Sequence, residues 1–104
     1  MKVLSVRRRY YKNRTAWEDF DVLYKGKRVE DGTEYILVRE QAKGHISFGL
    51  ERDFNDLYFF PTNQSCLTKA EAIERLNAFI GIADKYGNPN KTKAIWQGML
   101  EALK

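Results

Sequence analysis

The chain has 104 residues and a mass of 12.2 kDa, with 18 basic and 14 acidic side chains, one histidine and one cysteine. This length predicts a single domain, and 43% apolar with 13% aromatic residues is typical of a folded chain rather than a disordered one. The lone cysteine, Cys66, excludes an intramolecular disulfide, and no apolar run approaches the roughly 18 residues of a membrane span. We therefore expect one soluble, cytoplasmic domain, residues 1–104, that does not associate with membranes.

Positive charge is concentrated at the N-terminus. The first 14 residues contain six cations and no acid, whereas the other 90 residues carry a net charge of −2. The basic character therefore belongs to one segment and not to the whole surface, which predicts a local patch.

Two segments with alternating apolar residues, 4–10 and 17–24, predict a β-hairpin with a short polar loop near residues 12–16. The register that brings the apolar sets together on one face places Leu4 opposite Tyr24. In that register the other cross-strand pairs are Arg7 with Asp21, Arg9 with Asp19, Arg8 with Phe20 and Tyr11 with Trp17.

Three later segments also have strand patterns. The unbroken apolar run 35–38 is typical of a central strand that is covered on both faces. Residues 45–51 alternate and predict a half-buried strand, and residues 57–60 predict a fifth strand that ends at Pro61.

The C-terminal third has helical spacing. Thr68 and Glu71 form a capping-box pattern that begins a helix at residues 69–86, and Gly87 ends it. Either Asn88 or Asn90 is expected to cap a second helix at residues 89–103, with Pro89 in its first turn. Each helix contains a glycine, Gly81 or Gly98, which lowers helix propensity and suggests close packing.

These elements predict an α+β fold. Its sheet is antiparallel and meander-like, with four or five strands within residues 2–60, and the two C-terminal helices, 69–86 and 89–103, pack on one face. The apolar residues of the hairpin would then point toward the helices, and Tyr11, Trp17 and Leu23 would be exposed on the opposite face.

The sequence contains no pattern typical of a catalytic or metal site. Zinc prefers cysteine and histidine ligands, of which His45 and Cys66 are the only examples. The isolated glycines form no phosphate-binding loop. We therefore predict no catalytic residue, no metal and no cofactor, with a metal-independent ribonuclease that uses His45 as the enzymatic alternative.

One segment combines cations with aromatic side chains. Cations neutralise phosphates and aromatic rings stack on unpaired bases, so this mixture favours nucleic acid, in particular a single strand. In the structural alternative, Asp19 and Asp21 neutralise the arginines across the hairpin. The candidate contact residues are Arg7, Arg8, Arg9, Tyr11, Lys12, Arg14 and Trp17.

The predicted register also places four cations together at the other end of the hairpin, as a second candidate contact surface for phosphate or an acidic partner. These residues are Lys2, Lys25, Lys27 and Arg28.

The resulting hypothesis is a small, non-enzymatic binding module that contacts nucleic acid through the N-terminal hairpin. The alternative is a protein-interaction module, such as an inhibitor or adaptor encoded by a phage or mobile element, which acts on a larger machine that processes nucleic acid. The sequence leaves the oligomeric state open, and a dimer is compatible with it.

Overall fold

The computed structural model describes residues 2–10, 14–54 and 67–104. Its strands form one antiparallel sheet in the order β1-β2-β3-β4, and the C-terminal helices pack on that sheet. The strands are β1 (Lys2–Tyr10), β2 (Arg14–Lys27), β3 (Glu34–Glu40) and β4 (Ile46–Leu50). The helices are α1 (Glu51–Phe54), α2 (Lys69–Lys85) and α3 (Lys93–Ala102). The predicted α+β meander is confirmed, and the fifth strand predicted at residues 57–60 lies outside the described residues.

Both faces of the sheet are covered at its centre. On one face, Leu37 and Phe48 pack in a cluster with side chains of α2 and α3, and on the other face Ile36 and Val38 pack with Phe54 of α1. Ile36, Leu37 and Val38 are only 2%, 0% and 0% exposed. The central position predicted for this strand is confirmed, and its unbroken apolar run follows from burial on both sides.

A β-bulge in β2 changes which residues face the helices. Val22 pairs with Val38 but Tyr24 pairs with Leu37, so Leu23 is the extra residue. Val22 therefore packs on the α1 side of the sheet, whereas Leu23 and Tyr24 pack on the α2–α3 side. The prediction of one continuous apolar face toward the helices was wrong, as was that of an exposed Leu23, because a bulge reverses the alternation.

The predicted hairpin register was wrong by four residues. Leu4 lies opposite Phe20, Arg7 opposite Trp17, and Arg9 opposite Thr15. A shift of four keeps every residue on the same face, so the apolar alternation fits either register equally well. The observed register extends β1 to Tyr10 and begins β2 at Arg14, which leaves three connecting residues instead of the predicted five.

The helix starts were predicted with unequal success. The capping box of α2 is confirmed, since the Glu71 amide donates to Thr68 Oγ1 at 3.1 Å and the Thr68 amide donates to Glu71 Oε1 at 3.0 Å. Helix α3 begins at Lys93, four residues later than predicted. Asn88 has a φ of 58° and its Oδ1 accepts from the amides of Thr92 and Lys93, both at 3.2 Å. Asn88 therefore caps the helix across a turn, which the expectation of an adjacent cap missed.

Candidate nucleic-acid interface

The β1–β2 hairpin extends beyond the rest of the sheet. Strand β2 pairs with β3 only from Phe20 onward, whereas its earlier residues pair with β1 alone. We call residues 6–10 and 14–18 the ribbon. Its five cross-strand pairs give it a length of about 17 Å at the usual rise of a strand. Among the described residues, neither long edge of the ribbon pairs with a further strand.

The ribbon contains most of the predicted contact residues. The ribbon residues include four arginines and one acid. The acid is Glu18, which lies opposite Val6 at the base of the ribbon. Arg8 lies opposite Ala16, four residues before Phe20 in β2, and not opposite Phe20 as the predicted register implied. The arginines are Arg7, Arg8, Arg9 and Arg14, and Trp17 lies opposite Arg7. Two further predicted contacts, Tyr11 and Lys12, lie outside the described residues.

The two aspartates predicted to neutralise the arginines have other partners. Asp19 lies opposite Ser5 and accepts a hydrogen bond of 2.6 Å from its hydroxyl. Asp21 accepts from Gln41 Nε2 at 2.9 Å and from Arg39 Nη2 at 3.3 Å. The hydrogen bond from Gln41, followed by the interaction with Arg39, lowers the pKa of Asp21.

The register separates these aspartates from their predicted partners. Arg7 and Arg9 lie opposite residues four positions along β2 from Asp21 and Asp19, which corresponds to about 13 Å along the strand. The predicted cross-strand pairs Arg7–Asp21 and Arg9–Asp19 were therefore wrong.

The observed register and two ion pairs change the surroundings of the second predicted basic cluster. Lys25 Nζ contacts Glu51 Oε1 at 3.1 Å and Glu34 Oε2 at 3.5 Å, and the hydrogen bond with Glu51 raises the pKa of Lys25. Lys2 lies opposite Val22, because the four-residue change in register moves it away from the end of β2. The exposed Lys27 is the remaining lysine of the predicted group.

Arg28, the fourth member of that cluster, has a structural role. Its Nε and Nη2 donate to the two carboxylate oxygens of Asp31 at 2.9 and 2.6 Å. Its Nη1 donates to Tyr35 Oη and to the Asn90 carbonyl, both at 3.2 Å. Arg28 therefore connects the β2–β3 turn to the α2–α3 loop, and its contact with phosphate or an acidic partner stays a prediction.

The remaining predicted chemistry is limited in the described part of the chain. His45 Nδ1 lies 3.0 Å from Glu40 Oε1, so this histidine is next to a neighbouring acid. Residues 2–10, 14–54 and 67–104 contain no group of three or more histidine, cysteine or acidic side chains placed to hold a metal ion. No helix in these ranges is both long and apolar enough to cross a membrane. Cys66 lies outside the described residues.

Comparisons with protein-family models, with curated proteins and with solved structures found no match. The function of the protein is therefore inferred from the ribbon. Sequence reasoning identified its residues but missed that it extends beyond the sheet. The sequence pattern did not show it, because the predicted alternation covers residues 17–24, whereas β2 spans 14 residues and β3 only 7.

Proposed function

We propose that this protein is a non-enzymatic nucleic-acid-binding module and that the ribbon is its contact surface. The proposal is supported by a two-stranded segment that extends past the sheet. Its ten residues include four arginines and one acid. Cations at such a surface neutralise phosphates and release condensed counterions, which is the main source of non-specific affinity for nucleic acid.

The location of the ribbon also separates binding from folding. The apolar clusters of the protein include Leu4 and Phe20 at the base of the ribbon, and the side chains of α1, α2 and α3. Because the ribbon pairs lie beyond this core, substitutions of its arginines are expected to change the free energy of unfolding little. Surface substitutions away from the core are usually within about 0.5 kcal/mol.

A charge-matched pair of variants tests the proposal. Arg7→Gln/Arg9→Gln removes two charges from the ribbon, whereas Lys85→Gln/Lys91→Gln removes two exposed charges near the opposite end of the sheet. Arg28 directly follows the end of β2 that is away from the ribbon, and it hydrogen-bonds to the carbonyl of Asn90, the neighbour of Lys91. Fluorescence anisotropy with labelled DNA and RNA at about 50 mM salt compares their affinities.

We expect the ribbon variant to bind at least about tenfold more weakly than the control variant, since each lost phosphate contact also removes a released counterion. Equal affinities of the two variants, with thermal unfolding showing that both are folded, would refute the proposal. A loss common to both would indicate only a general effect of net charge.

A protein partner is the second candidate. Ile82 on α2 and Tyr86 directly after it are 54% and 64% exposed, and they line a cavity of about 420 Å³ together with Phe79, Pro89 and Trp96. Exposed apolar side chains around a concave surface are typical of protein contacts. In the nucleic-acid proposal, Ile82→Ser and Tyr86→Ser leave the affinity for DNA unchanged. If they weaken DNA binding in a folded protein, the ribbon is not the whole interface.

A further inference from the structure

The shape of the ribbon restricts the kind of nucleic acid that fits it. Adjacent strands are about 4.8 Å apart, and the major groove of B-form DNA, about 12 Å wide and 8.5 Å deep, admits a two-stranded β-ribbon. The minor groove, about 6 Å wide, is too narrow for such a ribbon unless the DNA is bent or the groove widened. The ribbon extends beyond β3 and has no further strand along either edge in the described residues, so its backbone could enter a groove without interference from the sheet.

The register distributes the arginines over both faces of the ribbon. In β-strands successive residues alternate between faces, and residues opposite each other share a face. The positions of Arg7 and Arg9 are therefore on the face that contains the Ser5–Asp19 pair, and those of Arg8 and Arg14 are on the face that contains Leu4–Phe20. Whichever face is toward the bases, it includes two arginine positions. Arginine paired with guanine is the commonest specific contact in the major groove.

We propose that the ribbon binds duplex DNA by lying in its major groove. This inference rests on the proposed function and narrows it to one class of nucleic acid. The ribbon length of about 17 Å corresponds to about five base pairs at 3.4 Å each. Duplex RNA is disfavoured because the major groove of its A-form helix is deep and narrow. A single strand has no groove, although the aromatic residues of the segment favour it on sequence alone.

The test uses the unaltered protein, so it does not depend on whether a variant folds. Anisotropy titrations at about 50 mM salt compare four labelled probes of the same sequence, each about 16 nucleotides long. They are a DNA duplex, its single strand, the corresponding RNA duplex, and a DNA duplex whose cytosines carry glucosylated hydroxymethyl groups at C5. These groups fill the major groove and leave the phosphate charge unchanged.

We expect the unmodified DNA duplex to bind at least about fivefold more tightly than each of the other three probes, because only this probe offers an open groove of the right width. Comparable binding of the single strand or the RNA duplex, or a smaller loss on glucosylation, would overturn the major-groove inference and leave the proposed function intact. No binding of any probe would overturn both.

Discussion

Replacing Gly98 with alanine tests how α3 packs on β2. A Cβ atom at this position would lie 2.7 Å from Tyr24 Cε2 and closer still to the Oη and Cζ atoms of the same ring. At Gly81 on α2, a Cβ atom would have no neighbour within 4 Å. Both glycines lie within helices, so the two substitutions have the same backbone effect and differ in packing.

The magnitudes follow from two opposing effects. Alanine is favoured over glycine in a helix by about 0.8–1.0 kcal/mol, which should stabilise the protein at both positions. At Gly98, overpacking against the Tyr24 ring costs about 1–3 kcal/mol. We therefore expect Gly81→Ala to stabilise the protein by about 1 kcal/mol and Gly98→Ala to range from neutral to destabilising by about 2 kcal/mol.

Thermal unfolding followed by circular dichroism measures the difference. One kcal/mol shifts the Tm of a domain of this size by about 4–8 °C, so Gly81→Ala should raise the Tm by that amount and Gly98→Ala should not. Adding Tyr24→Phe removes the hydroxyl and should recover part of the loss in Gly98→Ala, which a double-mutant cycle detects. An increase in Tm equal to that of Gly81→Ala would refute the close approach of α3 to Tyr24.

Three further predictions concern caps and turns. Because Arg28 holds the pKa of Asp31 well below its usual value, the folded protein keeps this carboxylate charged where the unfolded chain protonates it. The ionised Asp31 carboxylate therefore stabilises the folded protein above about pH 4, and this stabilisation is lost as the pH falls below that value. Asp31→Asn should flatten the fall in Tm between about pH 5 and 3, and an unchanged pH profile of the Tm would contradict this. Asn88→Ala should destabilise the protein more than Asn88→Gly in urea unfolding, because alanine loses the cap of α3 and also adopts a positive φ at a cost of about 1–2 kcal/mol; the reverse order would contradict it. Thr68→Ala should lower the free energy of unfolding by about 1 kcal/mol through loss of the α2 cap, and no change in urea unfolding would show that this hydrogen bond is not stabilising.

Features encoded within a few neighbouring residues were predictable from the sequence. The capping box at Thr68 and Glu71 needs only residues three apart, and the central position of β3 follows from its apolar run alone. The hairpin register was not predictable, because a shift of four residues preserves the alternation that sequence patterns report. The bulge at Leu23 was missed because it adds one residue without a turn residue such as glycine at that position.

The candidate site also had some features that were predictable from neighbouring residues and others that were not. The arginine run was visible in the sequence. The groups that contact Lys25 and Arg28 were not, because some of them are distant in the chain. Glu51 reaches Lys25 from the start of α1, and the Asn90 carbonyl reaches Arg28 from the α2–α3 loop. Tertiary structure therefore gives these two cations intramolecular partners that the sequence did not show.

The salt dependence of DNA binding shows whether the ribbon cations contact phosphates. If Arg7, Arg8, Arg9, Lys12 and Arg14 each neutralise one phosphate, log K against log salt should have a slope of about −4.5 for a DNA duplex between about 50 and 200 mM salt. Removing two of these cations in Arg7→Gln/Arg9→Gln should reduce that slope to about −2.7. A slope that stays unchanged in this variant, or no binding at about 10 μM protein in the low-salt buffer, would contradict the assignment of the ribbon as a nucleic-acid interface.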